Sequence, residues 1–505
     1  MWMEIIGNLL SLDTIIGMFV GVIGGIVIGA LPGLNATMAV SLLLPITFAM
    51  KPYAGFVMLM AIYTSAFYGG SISAILLHTP GTPASAATAM DGYELTLQGR
   101  GLEAIGMATV ASMFGGALSG VALLTISPLL SKVSLLFSAP EYFLIAIFGL
   151  TVIGGLSGGS MIKGFLMGAF GLFLGTIGID TITGQLRFTY GSDALSMGIS
   201  LVPAMIGLFS ISQVMIQSED YKNTINRVKK SDVNVNLKGK FLPTFREFVH
   251  LLPNMIRSSI IGIFVGILPG AGGDIGAWLS YSEAKKASKN SDLFGKGSLE
   301  AICASEAGNN AVTGGSVIPL LTLGIPGSAV ASVLLGGFLV HGMVPGNQMF
   351  TRMASVTYTI IVGFIIANIL MGIVGILIAK HVVKVTKLST SLLSPLIVVL
   401  STIGAYAING SIFDVYTMLV FGFIGYLMRK FDLPSAPAIL GLLLGPIAEN
   451  GFMNSIAMAK GNVLMYYLSR PVSLILIAMT VFAIIWPWVS LLIKGKKMLP
   501  ELIEN

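Results

Sequence analysis

Long apolar runs dominate the chain from about Ile15 to Ile493, separated by short polar or Gly/Pro-rich stretches. Runs of this length cross about 30 Å of hydrocarbon as helices, or do so as parts of broken helices. The pattern predicts an all-α polytopic membrane protein with about 11–13 membrane segments. Several runs are interrupted, at GALPGLNAT (29–37), FYGGS (67–71), HTPGTPAS (78–85), GILPGAGGD (266–274), VTGGS (312–316) and LGIPGS (323–328). Proline removes a backbone donor and clashes with the preceding turn, so these sites predict broken helices or re-entrant hairpins at membrane depth.

The interruptions recur in order. ALPG, YGGS and TPGT return as ILPG, TGGS and IPGS at an offset of about 237 to 246 residues, an internal duplication over roughly 12–132 and 258–384. The second copy is longer by about eight residues between its first two motifs, which fits the charged insertion EAKKASKNSDLFGKG (283–297). The organisation expected is a first repeat over 1–135, connecting spans over 136–217 (near 141–158, 164–180 and 198–216), a cytoplasmic loop over 218–250, a second repeat over 251–387, and C-terminal spans with a basic tail over 388–505.

Charge sets the orientation. Lys222, Arg227, Lys229, Lys230, Lys238 and Lys240, the stretch 380–387, Arg429, Lys430 and the tail 494–497 place those loops in the cytoplasm. The first 50 residues carry no Lys or Arg, which puts the N-terminus outside, and the first span is read as retained. With three spans between the copies, the repeats are expected to be inverted.

Composition narrows the function. Hydrophobic residues make up 55% and charged residues 10%, well below the roughly 25% charged of soluble domains. The net charge of +6 is dispersed over short loops, so no nucleic-acid face is expected. One cysteine, Cys303, excludes an internal disulfide, and His78, His250, His341 and His381 are too scattered for a metal site. No phosphate loop occurs, since GKGS (295–298) lacks the spacing, and GAGGDIG (270–276) follows a proline in a membrane context rather than a strand. No metal, no cofactor, no catalytic residue and no enzymatic activity are expected.

Candidate chemistry lies at the breaks. Half-helix N-termini supply unpaired N–H groups and positive dipole ends to an anion. In each copy they fall at paired sites: Pro32-Gly33 with Pro269-Gly270, and Pro80-Gly81 with Pro326-Gly327. Asn35, Thr37, Ser71, Thr79, Thr82 and Ser328 could add side-chain contacts. The most polar stretch expected inside the membrane is EAGNNAVTGGS (306–316), where polar groups are costly unless paired or functional. Asn309, Asn310, Thr313 and Ser316 are therefore candidates to line a transport site, with Asn310, Thr313 and Glu306 as cation-binding candidates; Glu306 reads equally as a helix-end residue. Asp274 reads as a helix cap before a cation ligand, Asp91 as an Asx turn with Arg100 beside it as a secondary candidate for a substrate or partner contact, His78 as a structural histidine before a carboxylate donor or a group titrating during coupling, and Trp486 and Trp488 as interfacial anchors.

GALPGLNATMAVSLLLPITF, YGGSISAILLHTPGTPASAATAMDGYELTLQGRG and FGKGSLEAICASEAGNNAVTGGSVIPLLTLGIPGS closely resemble the large membrane subunit of tripartite tricarboxylate transporters, the TctA-type family. Departures fall at Asn35, Gly308 and Asn347. The resemblance implies a secondary active permease of the cell (inner) membrane, a symporter importing citrate-like or other small carboxylates. It also implies a periplasmic or extracellular solute-binding protein, a small membrane subunit, and Na⁺ or H⁺ as coupling ion. A stand-alone carboxylate carrier and an ion channel are the alternatives.

Overall fold

The computed structural model describes residues 1–31, 34–156, 161–180, 182–219, 240–270, 272–385, 390–459 and 461–485. The basic residues Lys222–Lys238, Pro32, Gly33, Trp486, Trp488 and the basic tail lie outside the described residues, so the expectations placed on them are not addressed.

The described chain is helical apart from one two-stranded hairpin, Gly178–Ile179 paired with Leu186–Arg187. Among the described residues eight helices are long and apolar enough to cross a membrane, and six further apolar helices are shorter. The chain is an all-α polytopic membrane protein.

Two compact units form. The first holds residues 1–132 and 202–427, the second 133–201 and 428–505. Residues 202–219 and 390–427 belong to the same unit as the two repeats. The charged stretch expected to be a loop to residue 250 is helical from Phe245, where Thr244 and Glu247 make a capping box.

In the first unit, α1 (Trp2–Leu9), α2 (Leu12–Ala30), α3 (Ala36–Leu43), α4 (Pro52–Leu77), α5 (Ala86–Leu97) and α6 (Gly101–Ser131) precede the second unit's α7 (Ala139–Leu156) and α8 (Met161–Gly175). The chain returns through α9 (Leu201–Glu219), α10 (Phe245–Ile267), α11 (Gly272–Ala287), α12 (Leu299–Leu323), α13 (Ala329–Val340), α14 (Ala354–Val385), α15 (Thr390–Asn409) and α16 (Ile412–Lys430). It closes in the second unit with α17 (Ser435–Met458) and α18 (Pro471–Ile485).

The order of α2 to α6 recurs in α10 to α14, down to the backbone at the breaks. Leu31 and Leu268 end α2 and α10 in extended conformation, φ −87° and −74°, as the proline that follows each requires. His78 and Gly324 end α4 and α12 in the left-handed region, φ 51° and 72°. The Gly81 N–H donates to the Gly70 carbonyl at 3.2 Å, and the Gly327 N–H donates to the Ser316 carbonyl at 3.4 Å.

The two middle helices form the core. Residues Ala54–Leu76 of α4 and Ala301–Thr322 of α12 are buried without interruption. Glycine spacing brings their partners close. Gly21, Gly25 and Gly29 of α2 face α4, and Gly262 and Gly266 of α10 face α12, each at four-residue spacing. A Cβ on Gly25 would stand 2.7 Å from the Ile62 carbonyl oxygen, and one on Gly266 2.7 Å from that of Val312. Such contacts exclude any side chain, so the small-residue stripe dictates which face of each helix turns inward.

In the second unit a short polar cluster holds the hairpin. Asp180 accepts from the Thr183 hydroxyl at 2.5 Å and the Ile182 N–H at 2.9 Å, and pairs with Arg187, which also donates to Glu449 at 2.6 Å. Thr183 above all, then the Ile182 N–H, hold the Asp180 carboxyl well below the usual range. Buried Glu141 pairs with Arg470 at 2.6 Å and accepts from Ser473 at 2.6 Å.

Candidate functional site

Four helix starts in the first unit converge on one open cavity of about 190 Å³. Asn35, Ala36 and Thr37 begin α3; Thr82, Pro83 and Ala84 lead into α5; Gly272, Gly273 and Asp274 begin α11; Ser328, Ala329 and Val330 begin α13. Each copy contributes two of the four, and the Phe67 ring adds an apolar wall. The sequence ends its helices at this point because a proline follows or a left-handed residue caps them, and restarts α3 and α13 with side-chain caps. Asn35 Oδ1 accepts from the Met38 N–H at 2.8 Å, and Ser328 Oγ from the Ala331 N–H at 3.1 Å. At α11 the Asp274 side chain accepts from its own N–H and the Ile275 N–H, while the first turns of α3 and α13 keep N–H groups with no acceptor within their own helix.

Beneath the cavity lies Asn309. Its side chain is 0% exposed, and neither its Oδ1 nor its Nδ2 has a hydrogen-bond partner in the protein. A Cβ on Gly273, in the cavity wall, would stand 3.0 Å from that Oδ1. Glycine at 273 thus lets α11 close on the amide, and a buried, unsatisfied amide beside a cavity is a group that a ligand or an ordered water can satisfy.

Behind this wall runs a buried polar network. The Tyr63 hydroxyl lies 3.0 Å from both Ser328 Oγ and Ser316 Oγ, joining α4, α12 and α13. Asn310 Nδ2 donates to the Ser112 carbonyl at 3.2 Å, and Thr64 Oγ1 donates to Asn368 Oδ1 at 2.6 Å. Glu306, 0% exposed, accepts from Thr88 Oγ1 at 2.5 Å and from Ser112 Oγ at 2.8 Å.

The structure sorts the sequence candidates. Asn35, Thr37, Thr82 and Ser328 line the cavity and Asn309 lies under it. Asn310, Thr313 and Ser316 are not among the lining residues: the Thr313 hydroxyl donates to the Asn310 carbonyl at 2.6 Å and Ser316 sits one layer back on Tyr63. Ser71 is buried and donates to the Tyr68 carbonyl at 2.5 Å. Thr79 is exposed and turns to the Leu77 carbonyl. Gly81, Gly270 and Gly327 do not offer free donors as expected, because their N–H groups bind the carbonyls of Gly70, Gly327 and Ser316. The donors belong to the helix starts instead.

Glu306 is not a helix-end residue but lies inside α12. Asp91 makes no Asx turn. It is buried in α5 and accepts from the N–H groups of Gly295, Gly297 and Ser298 at 2.7–3.0 Å and from the Tyr281 hydroxyl at 2.9 Å. Arg100 is exposed and paired with Glu103 at 2.8 Å. His78 stacks on Tyr93, ring centres 4.7 Å apart, away from the cavity. Sequence reasoning left out Phe67, while Asp274, read as a helix cap, stands in the first turn of α11 and lines the cavity as well. Asp274 carried a usable signal, the first turn of a half-helix directly after GAGG.

Paired helix breaks around a small cavity within a multi-span helical unit are the arrangement of a polytopic membrane permease. Residues 15–440 match the sequence model of the "Tripartite tricarboxylate transporter TctA family", and the chain belongs to that family. One similar protein, the "Uncharacterized 52.8 kDa protein in TAR-I ttuC' 3'region" of Agrobacterium vitis, is 36% identical over 483 residues, covering 94% of this chain and 95% of its own. Another from Agrobacterium vitis, the "Uncharacterized protein in TAR-II ttuC' 3'region", is 34% identical over 224 residues, covering 44% of this chain and 92% of its own. No solved structure matches the chain.

Proposed function

We propose that this permease imports small organic tri- or dicarboxylates by symport with Na⁺ or H⁺. Substrate would be received from a solute-binding protein outside the membrane, with a small membrane subunit as partner. The observation that supports this reading is the convergence of four helix starts on a cavity of about 190 Å³ backed by the unpartnered Asn309 amide. Helix starts favour anions through their free N–H groups and dipole ends, and the cavity is smaller than the roughly 300–1,000 Å³ of drug-sized sites. Two copies of opposite orientation would each present two helix starts, so that movement of this unit opens the cavity to one side and then the other.

The test is uptake of labelled citrate, isocitrate, succinate and malate into proteoliposomes, with and without Na⁺ and pH gradients, the binding protein and small subunit being supplied. Saturable, gradient-dependent uptake of at least one carboxylate is expected. Absence of carboxylate transport under every combination defeats the reading.

A further inference from the structure

We infer that Glu306 holds an exchangeable proton one helical turn behind the cavity, and that this proton is the coupling ion. The second half of the inference rests on the transport reading above; the first does not.

The starting observation is a carboxyl group enclosed in one of the two uninterruptedly buried helices of the first unit and given only hydroxyl partners. Thr88 on α5 donates to one oxygen at 2.5 Å and Ser112 on α6 to the other at 2.8 Å. Ser305 Oγ lies 2.9 Å from Thr88 Oγ1. No Lys, Arg or His is among these partners.

The titratable groups of the surrounding elements are engaged elsewhere or neutral. On α4, the Tyr68 hydroxyl lies 2.7 Å from Thr109 Oγ1 of α6. Asp91 of α5 binds Tyr281 of α11 and the 295–298 backbone. On α12 itself Cys303 is a buried thiol, and Glu300 accepts from Ser288 at 2.6 Å. Asp274 of α11 lies at the cavity, Lys286 at the far end of α11 pairs with Glu283 at 2.6 Å, and Lys285 shares that last turn. On α10, which carries Arg246 and His250 in its first two turns, Arg257 donates to Asn254 at 2.9 Å. An ionised Glu306 would therefore be a buried charge without a counter-charge, the arrangement that proteins avoid by neutralising the group.

Spacing favours a proton over a metal ion. Oxygens sharing a cation ligated at about 2.4 Å stand roughly 3.3 Å apart or more, whereas the Glu306, Thr88, Ser112 and Ser305 oxygens are 2.5–2.9 Å from their neighbours, which is hydrogen-bond spacing. The step balances simply. The carboxylate takes one H⁺ from water on the side to which the unit is open. The new O–H donates to the Thr88 oxygen, whose own hydrogen turns to Ser305. Release to the other side restores the carboxylate with two hydroxyl donors.

The proton is tied to the cavity through two elements. Glu306 and Asn309 are three residues apart on α12 and so neighbour each other on its surface. Thr88 stands on α5, whose lead-in Thr82–Ala84 is cavity wall. Reversing the hydrogen bond between Glu306 and Thr88 therefore acts on the lead-in that shapes the site.

Infrared difference spectroscopy on the full chain in nanodiscs, titrated with acid and base, tests the proton directly. Wild type is expected to show a protonated-carboxyl C=O band that Glu306→Gln lacks, while Thr88→Val keeps the band at a shifted frequency. An unchanged band in Glu306→Gln, or no protonated-carboxyl band in wild type at any accessible pH, overturns the inference. In proteoliposomes with labelled citrate, isocitrate, succinate and malate, Glu306→Gln is expected to retain exchange of internal for external substrate while losing at least tenfold of the accumulation driven by a pH gradient. Accumulation equal to wild type, or a wild type driven by Na⁺ alone at fixed pH, overturns the coupling role. If no carboxylate moves in any protein while the band is present in wild type and absent in Glu306→Gln, the exchangeable proton stands and the carboxylate reading falls.

Discussion

Replacing Asp91 should loosen the tie between the two copies, by an amount the geometry sets. Its carboxylate is 0% exposed and collects three backbone N–H donors from 295–298 together with the Tyr281 hydroxyl. The loop can aim three N–H groups at one carboxylate because Gly295 and Gly297 adopt φ of 85° and 101°, conformations open to glycine. Hydrogen bonds to a charged group contribute about 1.5–3 kcal/mol each, but bonds sharing one acceptor group do not add. Asp91→Ala leaves four donors facing an apolar methyl and is expected to cost about 3–5 kcal/mol, as for a broken buried charge network. Asp91→Asn keeps one accepting oxygen and should cost about half as much, while Tyr281→Phe removes one bond for about 0.5–1.5 kcal/mol. Apparent melting temperatures in nanodiscs should fall in the order wild type, Tyr281→Phe, Asp91→Asn, Asp91→Ala, with protease cleavage within 283–297 rising in the same order. An Asp91→Ala protein that melts with wild type and resists cleavage would refute the reasoning.

Asn309→Ala should abolish carboxylate uptake while leaving melting unchanged within about 0.5 kcal/mol, since the amide makes no hydrogen bond within the protein. Asn310→Ala removes a donor to the Ser112 carbonyl and should cost about 1–3 kcal/mol of stability; melting and uptake measured on the two variants separate ligand group from structural group. Gly25→Val and Gly266→Val place side chains 2.7 Å or less from backbone oxygens of the middle helices, and each should cost about 1–3 kcal/mol or block folding, read as loss of monodisperse protein on size exclusion. The hairpin carboxylate Asp180 is depressed in the folded state, so its stabilising contribution is present above the normal carboxylate range and is lost as pH falls through the depressed value. Backbone amide exchange in 178–187 should stay slow through moderately acidic pH in wild type, and Arg187→Gln should bring the loss of protection to higher pH.

Some features of the site were legible in the chain and others were not. The helix breaks at Leu31 and Leu268 could be read directly, because a following proline excludes helical backbone regardless of surroundings. The four-residue glycine spacing of α2 and α10 likewise announces close helix contact. The expectation that Gly81, Gly270 and Gly327 present free N–H groups failed because their acceptors lie on other elements, as with Gly81 and Gly70. The sequence reads Asn310 and Thr313 together with Asn309 as lining residues, and the structure separates the three for a related reason. A helix buried on every side has no exposed face, so its polar pattern does not say which residue meets a cavity.

By itself, the sequence determined that this chain lives in a bilayer, where its helices break, and that its central architecture occurs twice, because those properties follow from local hydrophobicity and backbone chemistry. Only the tertiary structure decided that Asn309 stands under four helix starts, that Glu306 is met by hydroxyls from α5 and α6, and that Asp91 fastens a loop some 200 residues away. Each of those depends on the rotational setting of enclosed helices. That setting comes from close packing at glycines spread across the fold, and no local pattern in the chain encodes it.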